Sequence, residues 1–258
     1  MRHRIPVALA LLVALFSASP AQAQWAGGAG VEHYTWEESL QSPPLTPREG
    51  GSRYALHLQW QEDGNTGLLY AYRGKLYNGR VSYDTYTQPG YAPVPTYTDY
   101  SGMTHEGQLI SRSYLGDYRL DYIGGLGWDI WRRTIGGTQI EDYSVWFMRT
   151  GISVDLPALG PGFHGGGGLK LPLHTREDAH LDSAGFSSNP ELSPGRSVSL
   201  YAELAYRTNS YWDIVGYYDS WRFQESDPVY STRGGSLYSI VQPQSGMSAF
   251  GLKAMHSF

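Results

Sequence analysis

Long stretches of this sequence alternate between apolar and polar residues, and this period of two limits what the chain can fold into. In residues 52–61 every second side chain is apolar, while Arg53 and His57 lie among the intervening positions. Residues 117–133 and 197–207 alternate in the same way, with most of their charges on one parity. A helix of these sequences would carry charge around its whole circumference, whereas a strand separates the two sets onto opposite faces. The period therefore predicts two-faced β-strands.

The end of the chain has the same pattern. Residues 246–258 read GMSAFGLKAMHSF, in which Phe250, Leu252 and Phe258 share one parity and Lys253 lies on the other. Terminal residues usually fray, so a bulky apolar last residue needs a structural reason. A strand that closes a ring supplies one, because an open sheet edge cannot be satisfied within hydrocarbon.

Ten strand-length segments are predicted along the chain, and the connections between them alternate in length. Short turns alternate with longer segments rich in Pro, Ser and Gly, apart from the connection at 155–164. An even strand number with this alternation is typical of a bacterial outer-membrane barrel with short periplasmic turns. The predicted strands are 28–37, 52–61, 67–87, 103–114, 117–133, 143–154, 165–176, 197–207, 211–225 and 246–258, and the predicted long loops are 38–51, 88–102, 134–142, 177–196 and 226–245.

The amino terminus predicts export from the cytoplasm. Arg2 and Arg4 precede an apolar run, and a small-x-small cleavage site follows at residues 21–23. This order is typical of a secretory signal peptide cleaved near Ala23. The predicted organisation is therefore a signal peptide over residues 1–23 and one barrel domain over residues 24–258.

Composition supports the same class. The chain has 21 Tyr, 8 Trp and 32 Gly, a formal net charge of −5 and no cysteine. Net acidity argues against a nucleic-acid partner, and the absence of cysteine excludes disulfides and thiolate metal sites. The predicted fold is all-β, a closed antiparallel transmembrane β-barrel of about ten strands in the bacterial outer membrane. A secreted sandwich or lipocalin-like barrel is the alternative, and it would place its apolar faces inward.

The final strand also resembles a trait of outer-membrane barrels, which commonly end in a strand of alternating apolar residues and a terminal Phe that the insertion machinery recognises. Phe250, Leu252 and Phe258 match that trait, although His256 stands where a larger apolar residue is usual. The resemblance implies an assembly signal. Its implied partners are the barrel assembly machinery, outer-membrane lipids and lipopolysaccharide.

If the charged parity points inward, residues of both signs meet in the lumen. A ring of about ten strands leaves little free space, so these charges predict a salt-bridged plug in preference to a general pore. A narrow channel is the alternative. The predicted network is Arg53, Arg119, Asp121, Asp129, Arg149, Glu203 and Arg207, with Arg176 on the same predicted face.

A weaker resemblance concerns catalysis. The ten-strand architecture is similar to that of the omptins, outer-membrane proteases whose rim carries an Asp-x-Asp pair facing an Asp-x-His pair. Asp178 and His180 match the second pair in the fourth outer loop, whereas Asp84 and Asp99 each supply only one acid for the first. The resemblance implies an omptin-like hydrolase with a degenerate site.

No further motif indicates catalysis. The histidines show no metal-binding spacing, and the glycine run at 165–168 is not followed by the Lys-Ser or Lys-Thr of a phosphate loop. No metal or other cofactor is therefore predicted. The favoured function is a non-catalytic outer-membrane barrel that binds through its loops or has a structural role in the envelope, with the omptin-like hydrolase and the narrow channel as alternatives.

Overall fold

Ten long strands form the protein, which is described by a computed structural model covering residues 23–41, 44–84, 95–209 and 211–258. The predicted signal peptide lies outside these residues, except for Ala23. In chain order the barrel strands are β1 (Ala23–Gln41), β2 (Arg48–Glu62), β3 (Gly67–Asp84), β4 (Pro95–Leu115), β5 (Tyr118–Ile135), β6 (Gln139–Asp155), β7 (Phe163–Asp178), β8 (Ser199–Arg207), β9 (Trp212–Gln224) and β10 (Gln244–Ser257).

Each strand pairs antiparallel with its neighbours in sequence, and β10 returns to pair with β1. This closing seam runs from Ala26 opposite Ser257 to Ser39 opposite Gln244. Beyond the last strand residue, the backbone N–H of Phe258 donates to the carbonyl oxygen of Trp25 at 3.0 Å. The closed ring and its carboxyl-terminal closing strand are confirmed. No helix within the described ranges is long and apolar enough to cross a membrane.

One end of the barrel carries both ends of the described chain and the turns after β2, β4, β6 and β8, and the other end carries the loops. The turn after β6 contains the short 3-10 helix Pro157–Leu159. At the loop end, the last loop folds into a hairpin of Val229–Arg233 and Ser236–Ile240. The predicted long loop at 134–142 is wrong, because β5 and β6 continue to a tight turn containing Gly136 and Gly137, whose φ angles are 58° and 76°.

The two faces of the sheet differ as the alternation predicts, and the apolar face points outward. Exposed apolar side chains from all ten strands form a belt around the barrel, whereas charged side chains of the other parity are buried inside. A soluble barrel would have the reverse arrangement, so the transmembrane barrel fold is confirmed. The belt includes Val31, Tyr54, Leu56, Leu76, Leu109, Tyr122, Leu126, Trp146, Met148, Ile152, Leu169, Leu200, Leu204, Ile214, Phe250 and Leu252.

Inside the barrel, aromatic rings lie over glycines on the neighbouring strand. Tyr217 stands opposite Gly251 in the register, and a Cβ at this glycine would fall within the tyrosine ring's van der Waals radius. The missing side chain therefore makes room for the ring, and the same arrangement recurs at two other strand pairs, with Tyr77 opposite Gly102 and Phe147 opposite Gly127. Tyr201 stands opposite Gly168, but its hydroxyl lies over Gly151 of β6.

Candidate functional site

The middle of the lumen is filled by ion pairs, many of which join strands that are not neighbours. Glu32 is fully buried and accepts hydrogen bonds from Arg53, from Lys75 at 2.6 Å and from Tyr217 at 2.8 Å. Arg73 of β3 reaches across to Glu203 of β8 and donates to both carboxylate oxygens, at 3.0 and 2.9 Å. Such pairing offsets the cost of removing charges from water.

The remaining residues of the predicted network occupy two levels. In the middle, Arg149 donates to Glu106 at 3.0 Å. Asp129 has neutral donors, with Tyr77, Thr104 and Trp221 at 3.2, 2.9 and 2.9 Å. The other three residues of the network lie at the turn end. Asp121 makes a bidentate contact with Arg112, and Arg119 lies between Asp121 and Asp155. Arg207 is half-exposed and binds Asp213.

Towards the loop end, a layer of aromatic side chains spans the lumen. Tyr34 of β1 contacts Tyr100 of β4 with ring centroids 4.8 Å apart, and Phe147 of β6 contacts Trp221 of β9 at 5.1 Å. These strands are not neighbours, so the rings meet across the barrel axis. The aromatic layer comprises Tyr34, Trp36, Tyr77, Tyr100, Trp131, Tyr143, Phe147, Trp221 and Phe223, with Val81, Val145, Ala55 and Ala249 packed among them.

Above the aromatic layer, one arginine binds several carboxylates. The side chain of Arg133 is only 1% exposed, and its guanidinium contacts Glu49 and Glu38 at 2.7 Å and Glu141 at 2.9 Å. These residues were not among the predicted site residues. The adjacent arginines Arg132 and Arg133 were the available signal, since neighbouring residues of a strand point to opposite faces.

The Asp178–His180 pair lies at the loop end, on the outside of the barrel. Nε2 of His180 is 2.9 Å from Oδ2 of Asp142 and 3.9 Å from Oδ1 of Asp178. Asp142 also accepts two hydrogen bonds of 2.7 Å from Arg132. Asp178 accepts from the side chain of Asn189 at 2.7 Å and from the backbone N–H of His180 at 3.0 Å.

These contacts keep both carboxyl groups ionised above the apolar belt. Hydrogen bonds from Arg132 hold the pKa of Asp142 below its usual range, since they outweigh partial burial, and His180 adds to the effect. Partial burial acts to raise the pKa of Asp178, but the hydrogen bonds from Asn189 and from the backbone of His180 outweigh it, so the pKa lies below its usual range. His180 has a φ of 48° and is the only non-glycine residue with a positive φ in the part of the chain that the structure describes. This left-handed backbone conformation directs the imidazole ring back to β6.

A β-bulge in β7 decides on which side these residues lie. His174 stands opposite Trp146 and Pro172 opposite Phe147, so Leu173 is an extra residue without a partner. Beyond such a bulge the parity of the strand reverses. Placing Arg176 inside was therefore wrong: its side chain is exposed and binds Glu191 at 2.6 Å. Asp178 has the same parity and also faces outward.

Asp84 and Asp99 are on a different part of the wall. Both occupy outward positions, at the loop end of β3 and in β4, and Asp99 makes a bidentate contact with Arg80 at 2.7 and 2.8 Å. The structure thus joins Asp178 and His180 to Asp142, but it does not bring Asp84 or Asp99 to them across the rim. Within the described ranges, no group of three His, Cys, Asp or Glu side chains is arranged to hold a metal ion.

Comparison with known proteins identifies the architecture. No protein-family model and no curated protein matches the chain. Among solved structures it is similar to the outer-membrane protease OmpT from Escherichia coli, with a TM-score of 0.50, 10% identity and coverage of 92% of this chain and 96% of that one. The fold is that of a ten-stranded outer-membrane β-barrel. The barrel is also similar to an outer-membrane channel from Pseudomonas putida F1, with a TM-score of 0.42, 11% identity and coverage of 93% and 97%.

Proposed function

We propose that this protein is a bacterial outer-membrane barrel with a sealed lumen, which works through its outer loops and not as an open pore. The apolar belt supports insertion in a membrane, and the loops then face the cell exterior. Outer-membrane lipids and lipopolysaccharide are the proposed surroundings of the belt. Phe250, Leu252 and Phe258 are 60%, 56% and 71% exposed on the outer face, which makes them accessible to the barrel assembly machinery.

The aromatic layer is the observation that carries this proposal. Rings from β1, β4, β6 and β9 touch across the axis, and their side chains are at most 2% exposed. A continuous aqueous path would require these contacts to separate. Removing two large aromatic side chains from a close-packed layer leaves space that neighbouring side chains fill only in part.

The fourth and fifth outer loops support a binding role because they hold one another in place. The backbone N–H of Ser187 donates to the carbonyl oxygen of Thr232 at 2.8 Å, and the hydroxyls of Ser188 and Ser231 are 2.9 Å apart. The hairpin of the fifth loop exposes large apolar side chains, a composition that favours protein contact. These are Tyr230, Leu237 and Tyr238, at 60%, 68% and 45% exposure.

Conductance of the purified protein in planar bilayers tests the sealed lumen. We expect no steady channel from the wild type, and step conductance from the double variant Trp221→Ala/Phe223→Ala. The control is Trp146→Ala, which removes a tryptophan that is 51% exposed in the belt and should leave the bilayer silent. Large steady channels in the wild type would refute the proposal and favour the narrow channel.

The second candidate function is an omptin-like rim hydrolase, favoured by the contact of His180 with Asp142 and its proximity to Asp178. A carboxylate can orient an imidazole to accept a proton from attacking water. The opposing acids are not assembled, so we expect purified protein with lipopolysaccharide to leave a library of peptides uncut, with or without His180→Ala. Cleavage by the wild type that His180→Ala abolishes, without loss of thermal stability, would establish the hydrolase instead.

A further inference from the structure

Two cavities lie in the lumen below the aromatic layer and meet at one group of side chains. Their volumes are about 80 and 100 Å³. The smaller one lies beside the ion pairs of the middle layer, and the larger one extends towards the turn end, where Ser153, His164 and Asp213 are half-buried. Both are lined by Gln59, Arg73, Arg149, Tyr201, Glu203 and Lys253.

Positive charge is in excess where the cavities meet, since three cations and one carboxylate are shared. Glu203 takes both hydrogen bonds of Arg73, and Arg149 directs one nitrogen to Glu106. Nζ of Lys253 is 3.6 Å from Glu203, which is beyond hydrogen-bond distance, although Lys253 is only 4% exposed. The ammonium group of Lys253 therefore retains donors for a further acceptor.

A buried imidazole nitrogen without a partner belongs to a residue that lines the smaller cavity. His57 lines the smaller cavity and is 9% exposed, and its buried Nε2 has no hydrogen-bond partner among the residues that the structure describes. Buried polar atoms are nearly always paired, with protein, water or ligand. In the tautomer with a proton on Nε2, His57 supplies a second donor in the wall of the smaller cavity, which Lys253 also lines.

We propose that this junction binds a small tetrahedral oxyanion of the phosphate or sulfate type, which enters from the turn end of the barrel. A cavity needs about 10 to 15 Å³ to hold a single water molecule. The two cavities, at about 80 and 100 Å³, are several times larger and leave room for an ion of this size. The aromatic layer blocks the far side, which makes the site a closed-ended one. The Lys253 ammonium and the His57 N–H bind the anion, while Arg73 keeps Glu203 neutralised.

Binding of inorganic phosphate and of sulfate to the detergent-solubilised barrel, by calorimetry and thermal shift, tests the site. Chloride at matched ionic strength controls for general screening. We expect saturable binding and a raised melting temperature with either oxyanion, because a ligand that binds only the folded state stabilises it. Absence of saturable binding would overturn the proposal.

Lys253→Gln is the diagnostic variant, because Glu203 keeps both hydrogen bonds from Arg73 and no carboxylate is orphaned. We expect about tenfold weaker phosphate binding, the effect of losing one charged hydrogen bond. His57→Phe leaves every cation in place and should weaken phosphate binding by a smaller factor. This second variant still tests the site if Lys253→Gln fails to fold. Arg80→Gln, which alters a cation on the outer surface, should bind like the wild type. Unchanged affinity in both lumen variants would refute the site, whatever the bilayer recordings show.

Discussion

Arg132 and Arg133 are adjacent in β5, yet they belong to two different environments. Arg132 points outward, is 52% exposed and makes a bidentate contact with Asp142. Arg133 points into the lumen, is 1% exposed and binds Glu141, the residue before Asp142. Each arginine stands directly opposite its acid in the register of β5 and β6. One pair of strands thus carries two arginine–carboxylate pairs, one exposed to solvent and one buried in the lumen.

The two pairs differ in their access to solvent, and solvent access governs how much it costs to break an ion pair. An exposed pair gains little, because water screens it and two long side chains lose freedom. Inside the lumen, Glu49 and Glu141 are buried, so solvent cannot stabilise their charges if Arg133 is removed. The inner pair is therefore costly to break, even where the intact pair adds little compared with an apolar replacement.

The largest effect is expected from Arg133→Met, which leaves buried carboxylates without their cation. The loss should be about 3 to 5 kcal/mol of unfolding free energy, measured by urea unfolding of the barrel in lipid vesicles. Adding Glu49→Gln and Glu141→Gln to this variant should restore part of the loss, since the orphaned charges are then gone. Equal effects of Arg133→Met and Arg132→Met would contradict the contrast between the two faces.

A smaller effect is expected from filling an inner glycine. In Gly127→Val the new side chain collides with the ring of Phe147, so overpacking should cost about 1 to 3 kcal/mol. The matched control is Gly124→Val on the same strand, where a Cβ has nothing within 4 Å. The control should match the wild type or exceed it slightly, because valine favours strands. Equal losses in the two variants would mean that the ring does not depend on the glycine.

The smallest effect belongs to the outer pair, and it depends on pH. Arg132→Met should cost roughly 0 to 1 kcal/mol at neutral pH. Because Arg132 lowers the pKa of Asp142, their contribution is complete above the ordinary carboxyl pKa of 3.8 and is lost as the pH falls below it. The stability difference between wild type and variant should therefore disappear in acid. A difference that persists at pH values well below 3.8 would show that Arg132 acts through packing instead.

The sequence predicts the ring because alternation reports which residues share a face of a strand. Ten strands, the closing role of residues 246–258 and a lumen lined by Arg53 and Glu203 all follow from counting by twos. The count fails at Leu173, where one extra residue reverses the parity and carries Arg176 and Asp178 to the outside.

Contacts across the lumen could not be predicted in the same way. Periodicity assigns a side chain to a face but does not give the register between strands or the height of a residue along the axis. The meeting of Arg73 with Glu203, and the placing of Tyr217 over Gly251, depend on both. Polar loop composition also misled at 134–142, since the charged residues of this segment, Glu141 and Asp142, belong to strand β6 and not to a loop.

The aromatic rings that cover glycines also have a consequence for assembly. A two-residue slip between β9 and β10 would bring Tyr217 against Ala249 or Lys253 instead of Gly251, where a side chain occupies the space of its ring. The three ring and glycine pairs lie in the hairpins β3–β4, β5–β6 and β9–β10, and the first and last of these hairpins are joined by long outer loops. A long loop permits several alignments of the strands it connects. The β3–β4 and β9–β10 hairpins thus each carry an internal alignment mark that their connecting loops cannot supply.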